Sequence, residues 1–424
     1  MKILMFGWEY SPQHTGGLGV ACRELSEELG KQHIIKFVLP KADKYTKSQS
    51  DGIQITDISE VKYEKVDWDF EAQQVEFLDI ETNLLPYLPP EIFTRKRAET
   101  IKKPVKKITT EALRSIKITG EYNKNLTAEV TKYTLVASSI YENEDFDIIH
   151  AHDWMGANAG MLAKAILKIP LVVHVHSTEY DRNGIGGNQS IKDIEKKAFE
   201  TADCLLSVSE KTKNEIVRFY HIDAEKIHVI PNATKWRMTM PTVSTHQDIK
   251  IGFMGRFTHQ KGPEKFVDLA RSLNNSGADF KYIMMGDGYL EDHIRHKVES
   301  TNMSSYIELT GFLDQQKLKK TLNDLSLIVI PSISEPFGLV ALEATARGIP
   351  VLITENAGVN EFIPFRTFRH WDIFSMSSLV LSTLHDKAKA EEYVLNCQNA
   401  MKRRLSWKKS AEKIEKVYQD LTKT

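Results

Sequence analysis

Cysteine is scarce in this chain, with three in 424 residues, at Cys22, Cys204 and Cys397. Their wide spacing excludes a disulfide framework and a thiolate zinc motif, so buried thiols in a reducing compartment are expected. Long apolar stretches are missing too: nowhere do roughly 18 apolar residues run together as a bilayer span requires. Neither sign of charge dominates, because 56 Lys and Arg face 57 Asp and Glu. That balance removes the global basic field that would point to nucleic acid or an anionic membrane. Before Gly7-Trp8-Glu9 stand one Lys and a short apolar run, too little for a secretory leader, and a cytoplasmic location is expected. The two common phosphate fingerprints, G-x-G-x-x-G and G-x-x-x-x-G-K-[ST], do not follow the first strand candidate.

What the chain does have is alternation. A length of 424 residues exceeds one ordinary core, so two domains are expected. Near-continuous apolar runs predict buried parallel strands at Ile3–Phe6, Ile34–Leu39, Asp147–Ala151, Leu171–Val175 and Cys204–Val208. A second set follows at Ile251–Met254, Tyr282–Met285, Ile307–Thr310, Leu327–Pro331 and Val351–Thr354. Amphipathic patterns separate them, with Leu18, Cys22, Leu25 and Leu29 on one face and Phe266, Leu269, Ala270 and Leu273 on another. Two doubly wound α/β units result. Their join is expected between Asn232-Ala233 and Lys250, where Thr239 to Gln247 is polar and lacks periodicity. Tyr45 to Thr127 reads as an insertion with brief strand signals such as Val75–Ile80. Its basic runs, Arg95-Lys96-Arg97 and Lys102 to Lys107, suit a solvated face better than an anion site. The final helix, from Ser406-Trp407 to Leu421, carries Trp407, Ala411, Ile414, Val417 and Leu421 at helical spacing and needs a surface to cover.

Ligands of open α/β sheets bind beyond the carboxyl ends of strands, so the chemistry is read there. After the first strand come His14-Thr15-Gly16-Gly17-Leu18. The glycines would put unhindered N–H groups at a helix N-terminus, a place for an anion or simply a turn. After Asp147–Ile149 comes His150-Ala151-His152-Asp153-Trp154, with both histidines on one strand face. Substrate binding is the leading reading for them, ahead of a structural hydrogen-bonding role, and metal ligation is the weakest because a third ligand is wanted and Asp153 points the other way; His174, His176, Glu179 and Asp181 follow the next strand at the same edge. The loop Gly255-Arg256 to Lys261-Gly262 places two cations before a helix, which suits a pyrophosphate. At ~4 Å and an effective dielectric of ~20, one cation attracts a unit negative charge by roughly 4 kcal/mol. In Glu335-Pro336-Phe337-Gly338-Leu339 to Glu343, a helix begins between two carboxylates. Backbone N–H groups there can meet an anion, and the carboxylates can accept from vicinal sugar hydroxyls. Such a pair also suggests glycoside hydrolysis, but the neighbouring cation loop makes that the weaker reading.

Together these segments resemble the retaining nucleotide-sugar glycosyltransferases of family 4, which have the GT-B fold, near the glycogen and starch synthase branch. The matching pieces are Gly16-Gly17-Leu18, His150 to Trp154, Gly255-Arg256 with Lys261-Gly262, Gly286-Asp287-Gly288, and Glu335-x7-Glu343, in family order. The resemblance implies two Rossmann-like domains facing across a cleft. Residues 1–240, with the insertion at about 45–127, would form the acceptor domain, and 241–405 the donor domain, with helix 406–424 packing back on the first. It implies that Arg256 and Lys261 hold the diphosphate and that Glu343 takes the ribose. Glu335 and the Phe337, Gly338 and Leu339 backbone would position the donor sugar, and Gly255 and Gly286 would line the nucleotide site. His152 would contact the transferred sugar, Gly16 and Gly17 would approach the diphosphate, and His14, Asp153 and His176 are candidate acceptor or sugar contacts. The implied activity is retaining transfer of a hexosyl group, glucosyl foremost, from a nucleotide sugar to a saccharide or glucan. No metal or other cofactor and no nucleic acid is implied, and Asp67-Trp68-Asp69 is discounted as a metal motif because it falls in the insertion. At position 14 the glycogen synthase branch usually has Lys, and imidazole is a weaker phosphate anchor. The alternatives are a GT-B nucleotide-sugar epimerase or hydrolase, and a non-catalytic saccharide-binding protein, against which Arg256, Lys261, Glu335 and Glu343 argue.

Overall fold

The computed structural model describes residues 1–12, 16–42, 52–60, 67–69, 107–109, 118, 126–137, 140, 144–241, 243 and 249–423. His14, the Val75–Ile80 strand signal and the basic runs of the insertion, apart from Lys107, lie outside the described residues. Contacts divide the chain into two units, Met1–Ile230 with Trp407–Thr424, and Pro231–Ser406.

Unit 1 is built on β1 (Lys2–Phe6), β2 (Ile34–Leu39), β3 (Ile53–Asp57), β6 (Ile148–His152), β7 (Leu171–Val175), β8 (Cys204–Ser207) and β9 (Ile227–Val229), while β4 (Asp67–Asp69) and β5 (Lys107–Thr109) form a separate antiparallel ribbon. The seven strands lie in the order β3-β2-β1-β6-β7-β8-β9 and are parallel throughout. Every residue of β6 and β7 is buried, as helices on both faces of a parallel sheet require. Strand order reverses between β1 and β6, and this makes their carboxyl edge the ligand-binding edge. The last helix, Trp407–Thr422, belongs to this unit and buries Trp407, Ala411, Ile414, Val417 and Tyr418.

Unit 2 has the order β12-β11-β10-β13-β14-β15, with β10 (Lys250–Met254), β11 (Lys281–Met285), β12 (Ile307–Gly311), β13 (Leu327–Ile330), β14 (Val351–Thr354) and β15 (Arg366–Phe368). All are parallel, and the reversal falls between β10 and β13. The helix Pro263–Asn275 buries Phe266, Leu269, Ala270 and Leu273 in this core. The sequence pattern missed β3, β9 and β15. Each is an outermost strand: β9 and β15 have three residues each, and β3 interleaves polar residues with apolar ones, so none shows an apolar run.

Candidate functional site

In unit 2 the strand reversal explains how residues 74 apart in sequence come to touch. The loop leaving β10 and the loop leaving β13 emerge side by side, and Lys261 Nζ donates to Glu335 Oε2 at 2.7 Å. Ser332 Oγ donates to the same oxygen at 3.1 Å. The Lys261 loop can reach β13 only because Gly262 has φ 66°, and a Cβ there would stand 2.3 Å from the Pro331 carbonyl oxygen. On the other flank, a Cβ on Gly286 would stand 2.1 Å from the Gly255 oxygen, so the loops after β10 and β11 close on each other through two glycines. Gly286 N–H in turn donates to the Gly311 carbonyl. The Arg256 side of the loop stays exposed.

Past Glu335 the backbone is pinned to the segment after β14. Glu335 N–H donates to the Asn356 carbonyl, Gly358 N–H to the Glu335 carbonyl, and Val359 N–H to the Phe337 carbonyl. Gly338 then starts the helix Leu339–Ala346 at φ 114°. Among the described residues no acceptor takes the N–H groups of Phe337, Gly338 or Leu339. These free donors lie beside a lysine and at a positive helix end, where an anion is favoured. Glu343, in the second turn, is half-buried, and its carboxylate has no hydrogen-bond or ion-pair partner among the described residues. Burial pushes its carboxyl up to about 7. A half-buried carboxylate without partners is an acceptor open to hydroxyl donors.

That shift carries a measurable consequence. A carboxyl whose folded value is raised binds more protons folded than unfolded, so its charge opposes folding above the folded value and not below the unfolded one. Glu343→Gln is therefore expected to raise the melting temperature at pH 8–9 and to leave it unchanged near pH 4, while weakening nucleotide-sugar binding. Thermal unfolding followed across pH, with and without ligand, checks both signs.

Unit 1 presents a different surface chemistry at its own reversal. Parallel register places His152 beside His174, and the imidazoles of His150, His152, His174 and His176 stack, with ring centroids 4.5 Å apart for His150–His152 and 4.3 Å for His174–His176. Phe37 covers the other side of His152 at 5.8 Å. His152 Nδ1 lies 3.1 Å from His176 Nε2, and His150 Nδ1 meets the Tyr418 hydroxyl from the last helix. Burial pushes all of these imidazoles below their ordinary value, His150 and His176 to about 3, so the rings are neutral at physiological pH. A neutral ring in this position serves hydrogen bonding to a hydroxyl rather than charge pairing with a phosphate.

Asp153, a candidate acceptor contact, is buried and already engaged. Its Oδ1 accepts the N–H groups of His176 at 2.7 Å and Ser177 at 3.4 Å, and its backbone sits at φ 50°. It ties the end of β6 to the end of β7 and so sets the relation between His152 and His176. Gly16 lies against another carboxylate: a Cβ there would meet Glu9 Oε2 at 2.9 Å, and that oxygen accepts Gly19 N–H at 3.2 Å. Glu9 thus occupies part of the anion site that the glycines of helix Gly17–Leu29 would otherwise present. Sequence reading passed over Glu9, since a single acid ten residues before its partner has no pattern. It also passed over the buried group behind the Ser177–Asn183 turn, where Arg182 bonds Glu179 at 3.1 Å and Glu195 at 2.6 Å. Helical spacing of Arg182 to Glu179 was visible there, but Glu195 comes from the next helix.

Residues 91–235 match the family model described as Glycosyltransferase Family 4, and residues 236–364 the model described as Glycosyl transferases group 1. The chain is 25% identical over 440 residues to an uncharacterized glycosyltransferase of Methanocaldococcus jannaschii, covering 99% of this chain and 98% of that one. It is 24% identical over 283 residues to glycogen synthase of Mycobacterium tuberculosis, covering 64% of this chain and 68% of the relative. Among solved structures, sucrose-phosphate synthase from Thermosynechococcus elongatus superposes with a TM-score of 0.73 at 18% identity, over 99% of this chain and 98% of that one. No helix among the described residues is long and apolar enough to cross a membrane.

Proposed function

The chain is a glycosyltransferase with the GT-B fold, related to glycogen synthase, and from that premise we propose that it transfers a hexosyl group, glucosyl foremost, from a nucleoside diphosphate sugar to a saccharide with retention of configuration. The observation that carries the donor assignment is the Lys261–Glu335 pair beside the open Phe337–Leu339 N–H groups, with Glu343 unpartnered one helical turn further on. Lys261 and Arg256 attract the diphosphate, the N–H groups meet its oxygens, and Glu343 accepts from the ribose hydroxyls. Glu335, held by Lys261 and Ser332, orients the sugar. In unit 1, His152 is assigned to the transferred sugar, while Glu9 already occupies part of the glycine-rich helix end.

In the reaction, the bond from the anomeric carbon to the phosphate oxygen breaks and its electron pair leaves with the diphosphate. The acceptor hydroxyl forms the new bond from the same face and gives its proton to a departing phosphate oxygen. The growing phosphate charge is what Lys261 and Arg256 stabilise, and the proposal assigns that work to them without a metal ion or other cofactor.

The test is incubation with UDP-, ADP- and GDP-glucose, with and without a maltooligosaccharide or a simple glucoside. Acceptor-dependent release of nucleoside diphosphate, with an α-linked product by proton NMR from an α-linked donor, is expected. An epimerised sugar formed without acceptor, or diphosphate release indifferent to acceptor, would overturn the reading in favour of an epimerase or hydrolase.

A further inference from the structure

We propose that Cys22, His152 and His176 form a binding site for a transition-metal ion of the zinc class. One ligand atom from each lies within 4.8 Å of the others. Their elements make this more than coincidence. Cys22 is on the helix after β1, His152 ends β6 and His176 follows β7, and these three strands are neighbours at the strand reversal.

The donor geometry suits one ion. His152 Nδ1 and His176 Nε2 are 3.1 Å apart. Two nitrogens each about 2.0–2.1 Å from a tetrahedral zinc stand roughly 3.3 Å apart, so the separation of the pair is that of two ligands of one ion. The Cys22 thiol is buried and has no hydrogen bond among the described residues, whereas Cys204 donates to the Leu205 carbonyl and Cys397 to the Pro364 carbonyl. His152 is 1% exposed, and its Nε2 is buried without a partner.

A second group, His150, His152 and His174, also brings ligand atoms within 4.8 Å of one another. It offers no thiolate, and its three imidazoles come from β6 and β7 alone. His150 is also held by Tyr418. That group is not the site.

Three protein ligands leave the fourth tetrahedral position open. An ion bound there takes the ring assigned to the transferred sugar, so the metal-loaded protein is an inhibited form. The inhibition rests on the proposed function, while the binding does not.

The experiment titrates the chelator-treated full chain with Co²⁺ and then displaces it with Zn²⁺. Expected are tetrahedral d–d bands and a near-ultraviolet thiolate-to-cobalt charge-transfer band. Outer-sphere partners alone are worth 10–100-fold in affinity, so loss of a ligand in Cys22→Ser should weaken Zn²⁺ binding by ~10-fold or more and abolish the charge-transfer band. His174→Ala should change neither, and circular dichroism with a melting curve shows that both variants are folded. A charge-transfer band surviving in Cys22→Ser, its absence from the unaltered chain, or an equal loss in His174→Ala would each overturn the site. Transfer activity is then read with Zn²⁺: inhibition of the unaltered chain but not of Cys22→Ser is expected. A thiolate band with undiminished activity would leave the metal site standing and remove His152 from the sugar.

Discussion

Replacing Lys261 by alanine is expected to lower turnover by ~10²-fold or more, a loss of about 2.7 kcal/mol in transition-state stabilisation. The reason is the position of the charge rather than its mere presence. Lys261 is held at 2.7 Å from Glu335 and in a turn that only Gly262 permits, so its ammonium is fixed before substrate arrives. A preorganised cation needs no reorientation as charge builds on the departing diphosphate. Glu335→Ala should also lose ~10²-fold in turnover, but with a different signature. Removing that carboxylate releases Lys261 and deletes a negative charge next to the phosphates, so the donor KM should stay level or fall while kcat drops. Lys261→Ala should raise KM as kcat falls. The double variant should lose less than the product of the two, because contacting residues are not additive. Steady-state kinetics over donor concentration reads all three, and unchanged turnover in both single variants would refute the site.

The second large effect is on stability. Arg182→Met is expected to cost about 3–5 kcal/mol, since it leaves two buried carboxylates without their cation. Arg182 is 5% exposed at the side chain, bonds Glu179 and Glu195, and donates to the Ser177 carbonyl at 2.9 Å. Glu195 is already pushed up to about 7 by burial, against the lowering by Arg182, and the Tyr220 hydroxyl donates to it. For a unit of this size the loss corresponds to roughly 6–20 °C in Tm. The pH dependence supplies the sign. Without Arg182 the Glu195 carboxyl shifts further up, the folded state holds more protons, and stability falls as pH rises. The gap between the variant and the unaltered chain should therefore be wide at pH 8 and narrow towards pH 5. A second change, Glu195→Gln, should recover part of the loss. Urea or thermal unfolding at both pH values measures it, and a deficit independent of pH would mean that packing, not charge, dominates here.

The strands of both cores were legible because a parallel strand buried on both faces is apolar along most of its length, and Ile3–Phe6 and Leu327–Ile330 say so without reference to anything distant. Short edge strands such as β15 lack that signal, and Arg366 to Phe368 alternates too briefly to betray pairing. In the site, residue types and their place after each strand were readable: Lys261 after β10, Glu335 after β13, His152 at the end of β6. Their partners were not. Which loops meet is decided by strand order, and the reversals between β10 and β13 and between β1 and β6 bring Lys261 to Glu335 and Cys22 towards His152 and His176. The sequence by itself thus determined two α/β cores and the chemistry offered at their strand ends, because burial and local spacing are properties of neighbouring residues. Only the tertiary structure decided that Glu9 takes a glycine-rich helix end, that Asp153 is a tie between strands, and that four neutral imidazoles stack together. These depend on desolvation and contact across the sheet, and no run of residues encodes either.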